Sequence, residues 1–199
     1  GCMLAGRSAL ESEYHKKVAK HFDLKQKIGA KAATLIKKDE VILIDDGSTT
    51  FHLATSLESI SPLTIYTNSL VLVTELGRFP DISINILGGE INPDSYSVSG
   101  SLTEKVLEDI HFDKVFLGID WLGEDGKCYV RTASSARLAQ AMLKSSKETI
   151  LLGDHTKLKP GSGFSYGSLD DFDQWITTSG IEKGQLEKYR KMTNVSIQK

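Results

Sequence analysis

The amino-acid sequence predicts an α/β protein with a mostly parallel, Rossmann-like sheet and helices on both of its faces. Short apolar runs alternate along the chain with segments of helical period, which is the pattern of parallel strands joined by helical crossovers. The run from Val41 to Ile44 is apolar at every position, as expected for a strand that is buried on both sides. The length of 199 residues, with 40% hydrophobic and 25% charged residues, fits an ordinary globular core.

Strands and helices are expected to alternate along most of the chain. The predicted strands cover residues 41–44, 63–67, 82–87, 114–118, 148–152, 174–177 and 194–197. The predicted helices cover residues 13–21, 23–38, 49–57, 68–76, 101–110, 133–143 and 182–190. In the second helix Ile28, Ala32 and Ile36 fall on one face. A hairpin is expected around Cys128, and the glycine-rich segment 160–167 is expected to be a mobile loop.

Residues 1–24 are expected to form a linker with a basic helix, and residues 25–199 the main domain. The basic helix at residues 13–21 could contact an acidic partner, but a solvated helix face is the favoured interpretation. The sequence has no export signal, no apolar run long enough for a bilayer, and only two cysteines, Cys2 and Cys128. A cytoplasmic protein is therefore expected. The net charge of −2 does not indicate that this chain binds nucleic acid or a membrane on its own.

The turn that follows the first predicted strand has two interpretations of equal weight. Asp45 and Asp46 are followed by Gly47, and the hydroxyl side chains Ser48–Thr50 then begin a predicted helix. Free N–H groups and hydroxyls at a helix N-terminus can bind a phosphate or another anion. Alternatively, Ser48 only caps the helix and Gly47 only makes the turn.

Polar residues also follow four other predicted strands. Because the carboxyl ends of parallel strands meet at one edge of the sheet, these groups are expected to face one crevice. Carboxylates and amides there suit sugar hydroxyls, whereas hydroxyls, N–H groups and a lysine suit a phosphate. Taken singly, Asn68 could only cap a helix and Lys157 could be a solvated lysine. The five groups are Asp45–Thr50, Thr67–Ser69, Gly88–Glu90, Gly118–Asp120 and Gly153–Lys157.

Motifs for catalysis, metal binding or cofactor binding are not found. The five histidines have no metal-ligand spacing, and the nucleophile elbow, the Walker lysine motif and the dinucleotide fingerprint do not occur. No cofactor, no metal site and no catalytic residue are therefore predicted.

The ordered set of motifs resembles the effector domain of the DeoR family of bacterial sugar-responsive transcriptional regulators. The resemblance extends from about Lys25 to Ile181. It implies a fold like that of ribose-5-phosphate isomerase, and a winged helix-turn-helix DNA-binding domain that would stand upstream of this chain. The motifs are Asp45-x-Gly47-Ser48-Thr49-Thr50, Thr67-Asn68-Ser69, Leu87-Gly88-Gly89, Ser99-x-x-Leu102, Phe112 to Gly118, and Asp154-x-x-Lys157.

By this resemblance, twelve residues are assigned to the binding of a phosphorylated sugar. Asp45 is expected to meet the sugar and Ser48–Thr50 the phosphate, whereas Gly88 and Gly89 would allow close approach of the backbone. Asp46 replaces a residue that is commonly small in the family. It would add negative charge beside the phosphate or, because alternate residues leave a strand end on opposite sides, point away from the crevice. Ser135, Ala139 and Gln140 stand where members often have an acidic residue and a basic pair. The twelve assigned residues are Asp45, Gly47, Ser48, Thr49, Thr50, Thr67, Asn68, Ser69, Gly88, Gly89, Asp120 and Lys157.

The predicted function is that of a ligand-sensing domain in a transcriptional regulator of sugar metabolism, with a repressor as the expected type. Its partners would be a phosphorylated sugar, operator DNA through the upstream domain, and further copies of the same chain. An alternative is a sugar-phosphate isomerase, for which Asp45, Asp120 and Asp154 are candidate acids or bases. A third possibility is a domain that is retained only for oligomerisation.

Overall fold

The computed structural model describes residues 14–159 and 161–199, and most of its strands belong to one parallel sheet. The strand order is β12-β11-β9-β6-β1-β2-β3, and each neighbouring pair is parallel. β1 therefore lies inside the sheet, between β6 and β2. In chain order the strands are β1 (Val41–Ile44), β2 (Leu63–Thr67), β3 (Ile82–Ile86), β4 (Glu90–Asn92), β5 (Ser97–Ser99), β6 (Phe112–Gly118), β7 (Trp121–Leu122), β8 (Lys127–Val130), β9 (Ser146–Leu152), β10 (Phe164–Ser168), β11 (Gln174–Thr178) and β12 (Asn194–Gln198).

Helices cover both faces of the main sheet. Ile42 and Ile44 of β1 pack on one side with α2, α3 and α4, whereas Leu43 packs on the other side with α5, α6 and α7. This burial on both sides explains why β1 has no polar residue. The helices are α1 (residues 14–19), α2 (Phe22–Ala33), α3 (Ser48–Ala54), α4 (Leu70–Leu76), α5 (Ser101–Glu108), α6 (Ala133–Lys144) and α7 (Lys183–Tyr189), with single 3-10 turns at His155–Lys157 and Leu169–Asp171.

The predicted α/β fold with its parallel sheet is confirmed, with small shifts at the element ends. All seven predicted strands lie in the main sheet. α2 ends at Ala33 rather than at residue 38, because the backbone from Thr34 to Ile36 bonds three residues back instead of four. Ile36 is nevertheless buried, which is why the apolar period continues past the helix end. Residues 1–13 of the predicted linker, which include Cys2, and Pro160 lie outside the described residues.

Two small antiparallel sheets border the carboxyl ends of the main strands. β7, β8 and β10 form one of them, so the predicted hairpin around Cys128 is confirmed. The prediction of a loop at 160–167 is wrong for Phe164–Ser168, which forms β10 with an irregularity between Ser165 and Gly167. β4 and β5 form the second small sheet, which the sequence did not predict because both strands are short and polar.

Candidate functional site

Asp45 connects the turn after β1 to the end of β6. Its Oδ1 accepts a hydrogen bond from the Gly47 N–H at 2.7 Å and lies 3.0 Å from the Thr50 hydroxyl, while its Oδ2 accepts from the Gly118 N–H at 2.8 Å. Burial, followed by the charge of Asp46, raises the pKa of Asp45 to about 7, against the effect of these hydrogen bonds. Both carboxylate oxygens are thus used inside the protein.

Gly47 is required by the close packing of this turn. A Cβ atom at this position would lie 2.9 Å from Asp45 Oδ1 and 3.1 Å from Thr50 Oγ1. A side chain would therefore push the carboxylate of Asp45 away from the N–H groups that it accepts from. The turn keeps its shape because both Asp45 and the glycine are present.

A buried lysine contacts the beginning of α3, and a second lysine lies near enough to lower its pKa. The Nζ of Lys25, a residue only 3% exposed, donates to Ser48 Oγ at 3.0 Å and also contacts the carbonyl of Lys17. Burial, followed by the charge of Lys157, lowers the pKa of Lys25 to about 8. Burial also lowers the pKa of Lys157, and Asp154 acts in the opposite direction. Positive charge is therefore concentrated beside the hydroxyl turn.

Asp154 only partly compensates this positive charge. It is fully buried, and its Oδ1 accepts from the Thr156 N–H at 2.9 Å. Its Oδ2 has no hydrogen-bond partner among the described residues. The charges of two carboxylates, Asp154 and Asp120, thus act on Lys157, and that of Asp154 also acts on Lys25.

A small cavity lies next to the lysine region, at the carboxyl ends of β1, β2 and β6. Its volume is about 60 Å³, which is several times the space that a single water requires. The hairpin of β4 and β5 and the N-terminus of α6 close its sides. Its polar lining comes from Asp45, Asp46, Asn68, Asn92, Ser97, Ser99, Thr132, Ser134 and Ser135.

Asp46 faces this cavity, so the alternative in which it points away is wrong. Hydrogen bonds from the side chains of Ser97 and Asn68 stabilise its charged form, whereas burial raises its pKa and is the dominant effect. The backbone bends at Asp46 directly after β1. Strand alternation therefore no longer decides which way this side chain points.

The segment Thr67–Ser69 lies across from the turn after β1. Thr67 Oγ1 accepts from the Ser69 N–H at 3.0 Å, and Ser69 caps α4 by accepting from the Leu72 N–H at 3.3 Å. The helix cap is thus Ser69 and not Asn68. The side chain of Asn68 is instead directed to Asp46, and its Oδ1 is buried with no hydrogen-bond partner in the described part of the chain.

Gly88 and Gly89 pack against α5 rather than lining the cavity. The Thr103 hydroxyl donates to the Gly88 carbonyl at 2.6 Å. Gly89 has a φ of 142°, and a Cβ atom there would lie 2.1 Å from Thr103 Oγ1 and 2.6 Å from the Ser99 carbonyl oxygen. The close backbone approach expected at these glycines is made by the chain itself. Their contact with a ligand stays a prediction.

Asp120 lies between the lysine region and the cavity. Its Oδ2 accepts from the Arg131 N–H at 3.2 Å, and its Oδ1 is 3.6 Å from Arg131 Nε. Its negative charge acts on both Asp46 and Lys157. Asp120 therefore lies near both Asp46 and Lys157, and the role of these residues in ligand binding stays a prediction.

The comparison with known families identifies the chain. The model of the DeoR C-terminal sensor domain matches residues 20–179. The chain belongs to this family.

Relatives of the sensor domain include the regulator GolR of Listeria innocua, 27% identical over 96% of this chain and 75% of that protein. The repressor GlcR of Bacillus subtilis is 30% identical over 77% of this chain and 58% of that protein. A putative aga operon repressor of Escherichia coli O157:H7 is 25% identical over 92% and 68%.

Solved structures with a related fold include eIF2B beta from Chaetomium thermophilum. It has a TM-score of 0.57 at 16% identity, over 76% of this chain and 47% of that chain. Ribose 5-phosphate isomerase A from Neisseria gonorrhoeae has a TM-score of 0.49 at 16% identity, over 68% and 52%. The similarity to eIF2B beta concerns the fold alone.

The family settles the general class of function. The three relatives described above are named as transcriptional regulators or repressors. The prediction of a regulator rather than an enzyme is therefore confirmed. In the described residues, no group of three histidine, cysteine, aspartate or glutamate side chains could hold a metal ion, and no helix is both long and apolar enough to cross a bilayer.

Several residues of the sensor-domain crevice were missed by sequence reasoning. Lys25 looked like a surface residue of a helix, and only its buried contact with Ser48 shows otherwise. Ser135 and Ala139 were noted as departures from the family pattern, and both line the cavity, whereas Gln140 is exposed. Thr132 caps α6, a pattern that its position before Ala-Ser-Ser could have indicated.

Proposed function

We propose that this sensor domain binds a phosphorylated sugar, with the phosphate at the start of α3 and the sugar hydroxyls towards the cavity. The observation that carries the proposal is the buried Lys25, whose Nζ donates to the Ser48 hydroxyl and whose pKa is lowered by burial and by the charge of Lys157. A phosphate dianion would stabilise both ammonium groups through charge-assisted hydrogen bonds. The backbone N–H groups at the beginning of α3 would add to its binding.

The cavity suits the uncharged part of such a ligand. Asp46 and Asp120 can accept hydrogen bonds from sugar hydroxyls, and the Asn68 amide can both donate and accept. On the α6 side, Ser135 and Ala139 supply a hydroxyl and a methyl group. We therefore expect the part of the ligand that faces α6 to be uncharged.

In the intact regulator, ligand binding would change the affinity for operator DNA. Such coupling requires that the ligand binds two conformations or assemblies of the regulator with different affinity. A winged helix-turn-helix domain upstream of residue 24, a cytoplasmic location and a homo-oligomer belong to this proposal. The relatives support it because they are named as helix-turn-helix regulators.

Isothermal titration of the chain tests the proposal. Ribose 5-phosphate, fructose 1-phosphate, fructose 6-phosphate and glucosamine 6-phosphate serve as probes, with the unphosphorylated sugars and inorganic phosphate as controls. We expect one or more of the phosphorylated sugars to bind, and inorganic phosphate to compete weakly. A folded sample that binds none of them would instead favour a domain retained only for oligomerisation.

A further inference from the structure

Tyr14 of α1 reaches the carboxyl ends of β1 and β2 from outside the main domain. Its side chain is only 4% exposed, and its ring packs edge-to-face on Tyr96 at 6.4 Å between centroids. The groups that act on its hydroxyl are Asp46, Asp45 and Ser69. The tyrosine thus belongs to the surroundings of the crevice, although it lies before the start of the family match at residue 20.

The Tyr14 hydroxyl is a buried donor that the protein does not use. It has no hydrogen-bond partner among the described residues, although the Ser69 hydroxyl lies near enough to act on its pKa. Leaving a buried hydroxyl unpaired is unfavourable. Packing of the ring alone would be satisfied equally well by phenylalanine, so the hydroxyl needs another explanation.

An unused acceptor faces the same carboxylate. Asn68 Oδ1 is buried without a partner in the described part of the chain, and the Asn68 side chain bonds to Asp46. Asp46 is also the carboxylate with the strongest effect on Tyr14. An unpaired donor and an unpaired acceptor around one carboxylate form a suitable environment for a polyol, whose hydroxyls both donate and accept.

We propose that Tyr14 is a ligand-binding residue, and that its hydroxyl bonds to a hydroxyl of the sugar while Asn68 binds the same part of the ligand. The inference rests on the proposed function, because it concerns the sugar end of the same ligand. It assigns the segment before the sensor domain a direct part in recognition.

The same contact makes α1 responsive to the ligand. α1 is docked through the Lys17 carbonyl, which contacts Lys25 Nζ, and through the Val18 carbonyl, which lies 3.3 Å from His52 Nε2. A bond from Tyr14 to bound sugar adds a further attachment that exists only in the complex. Ligand binding therefore strengthens the docking of residues 14–19 on the domain.

Substitution of Tyr14 by phenylalanine tests this inference with the four sugar phosphates named above. Tyr14→Phe should weaken binding of the sugar phosphate with the highest affinity by about three- to tenfold, the effect of one hydrogen bond. It should leave the affinity for inorganic phosphate unchanged, because phosphate alone does not reach the sugar subsite. The Tm of the free chain should stay the same or rise, since an unpaired buried hydroxyl is removed.

Tyr66→Phe is the matched control. Tyr66 is a half-buried tyrosine in β2 that packs on Phe112, outside the crevice, and its substitution should not change ligand affinity. In wild-type protein, the sugar phosphate should slow amide hydrogen exchange at residues 14–19, and Tyr14→Phe should reduce this protection.

The outcomes separate the two proposals. If wild-type protein and Tyr14→Phe bind the sugar phosphate with equal affinity, this inference is wrong and the proposed function stands. If wild-type protein binds none of the four sugar phosphates, both are overturned.

Discussion

Asp45 illustrates how a single residue can shape a binding site without being free to bind. The sequence placed this carboxylate at the sugar, whereas the structure uses its two oxygens to hold Gly47, Thr50 and Gly118. Its neighbour Asp46 also lines the cavity, and its carboxylate accepts from the side chain of Asn68 rather than from Gly47 and Gly118. The roles of two adjacent aspartates thus depend on the backbone of the turn, and their sequence positions alone do not predict which of them is free to bind a ligand.

The raised pKa of Asp45 predicts a pH dependence of stability. A carboxyl group with a folded-state pKa of about 7, above its unfolded value, binds protons more tightly when folded. The free energy of unfolding should therefore fall as the pH rises from about 4 to 7. Urea unfolding at several pH values measures it. Asp45→Asn should make the curve flatter, and an unchanged curve in this variant would contradict the assignment to Asp45.

Lys25 should contribute to ligand binding but not to folding. Lys25→Met removes one of two mutually repelling ammonium groups, so we expect unfolding in urea to change by less than about 1 kcal/mol. Binding of a sugar phosphate should weaken by about 2 kcal/mol, the contribution of a hydrogen bond to a charged group. Lys147→Met is the control, because Lys147 pairs with Asp113 at the opposite end of the sheet. Equal binding by both variants would contradict the phosphate site.

At the scale of elements, the main strands were predictable and the small sheets were not. Strands buried on both faces consist of apolar residues only, and that pattern is local. β4 and β5 are polar, and Tyr96 between them adopts a positive φ of 50° that its residue type does not suggest. β5 contacts α4 and α6, neither of which is its neighbour in the sequence. The part of the cavity wall that β4 and β5 form could therefore not be predicted from the sequence, whereas the turn after β1 could.

The contact between Gly89 and α5 provides a test at this scale. Gly89→Ala would place a methyl group against Thr103 and the Ser99 carbonyl at a positive φ, so we expect a loss of about 2 kcal/mol or more in the free energy of unfolding. Gly184→Ala is the control, because Gly184 lies exposed in α7 with no atom within 4 Å of the added carbon. Alanine is favoured in helices, so that variant should be slightly more stable. Similar effects at the two sites would contradict the described packing.

At the scale of the whole molecule, the parallel sheet explains why the site exists. The central strands β9, β6, β1 and β2 bring their carboxyl ends to one edge, so residues that are far apart in the sequence meet there. The Gly118 N–H, which donates to Asp45 Oδ2 across 73 positions, is an example. The strand pattern was sufficient to predict this convergence. It did not predict that Tyr14 of α1 would be buried against Tyr96, because no periodic pattern links the two.

The charge of the whole crevice predicts proton uptake on binding. Lys25 has a pKa of about 8 in the free protein, and a phosphate dianion would raise it. Titration at pH 8 in buffers of different ionisation enthalpy should therefore show that protons are taken up, and affinity should fall as the pH is raised above 8. Below about pH 6 the phosphate itself is protonated and affinity should fall again. No proton uptake at pH 8 would contradict a role for Lys25.

The buried thiol of Cys128 has a practical consequence for measuring these effects. Cys128 is fully buried in the sheet formed by β7, β8 and β10, and burial raises the pKa of its thiol. A thiol reagent can therefore modify it only when that sheet opens. In a Cys2→Ser variant, the rate at which Cys128 is labelled measures how often this sheet opens, and no fluorophore has to be added. Because Val130 of the same sheet borders the cavity, labelling should be slower when a ligand occupies the crevice.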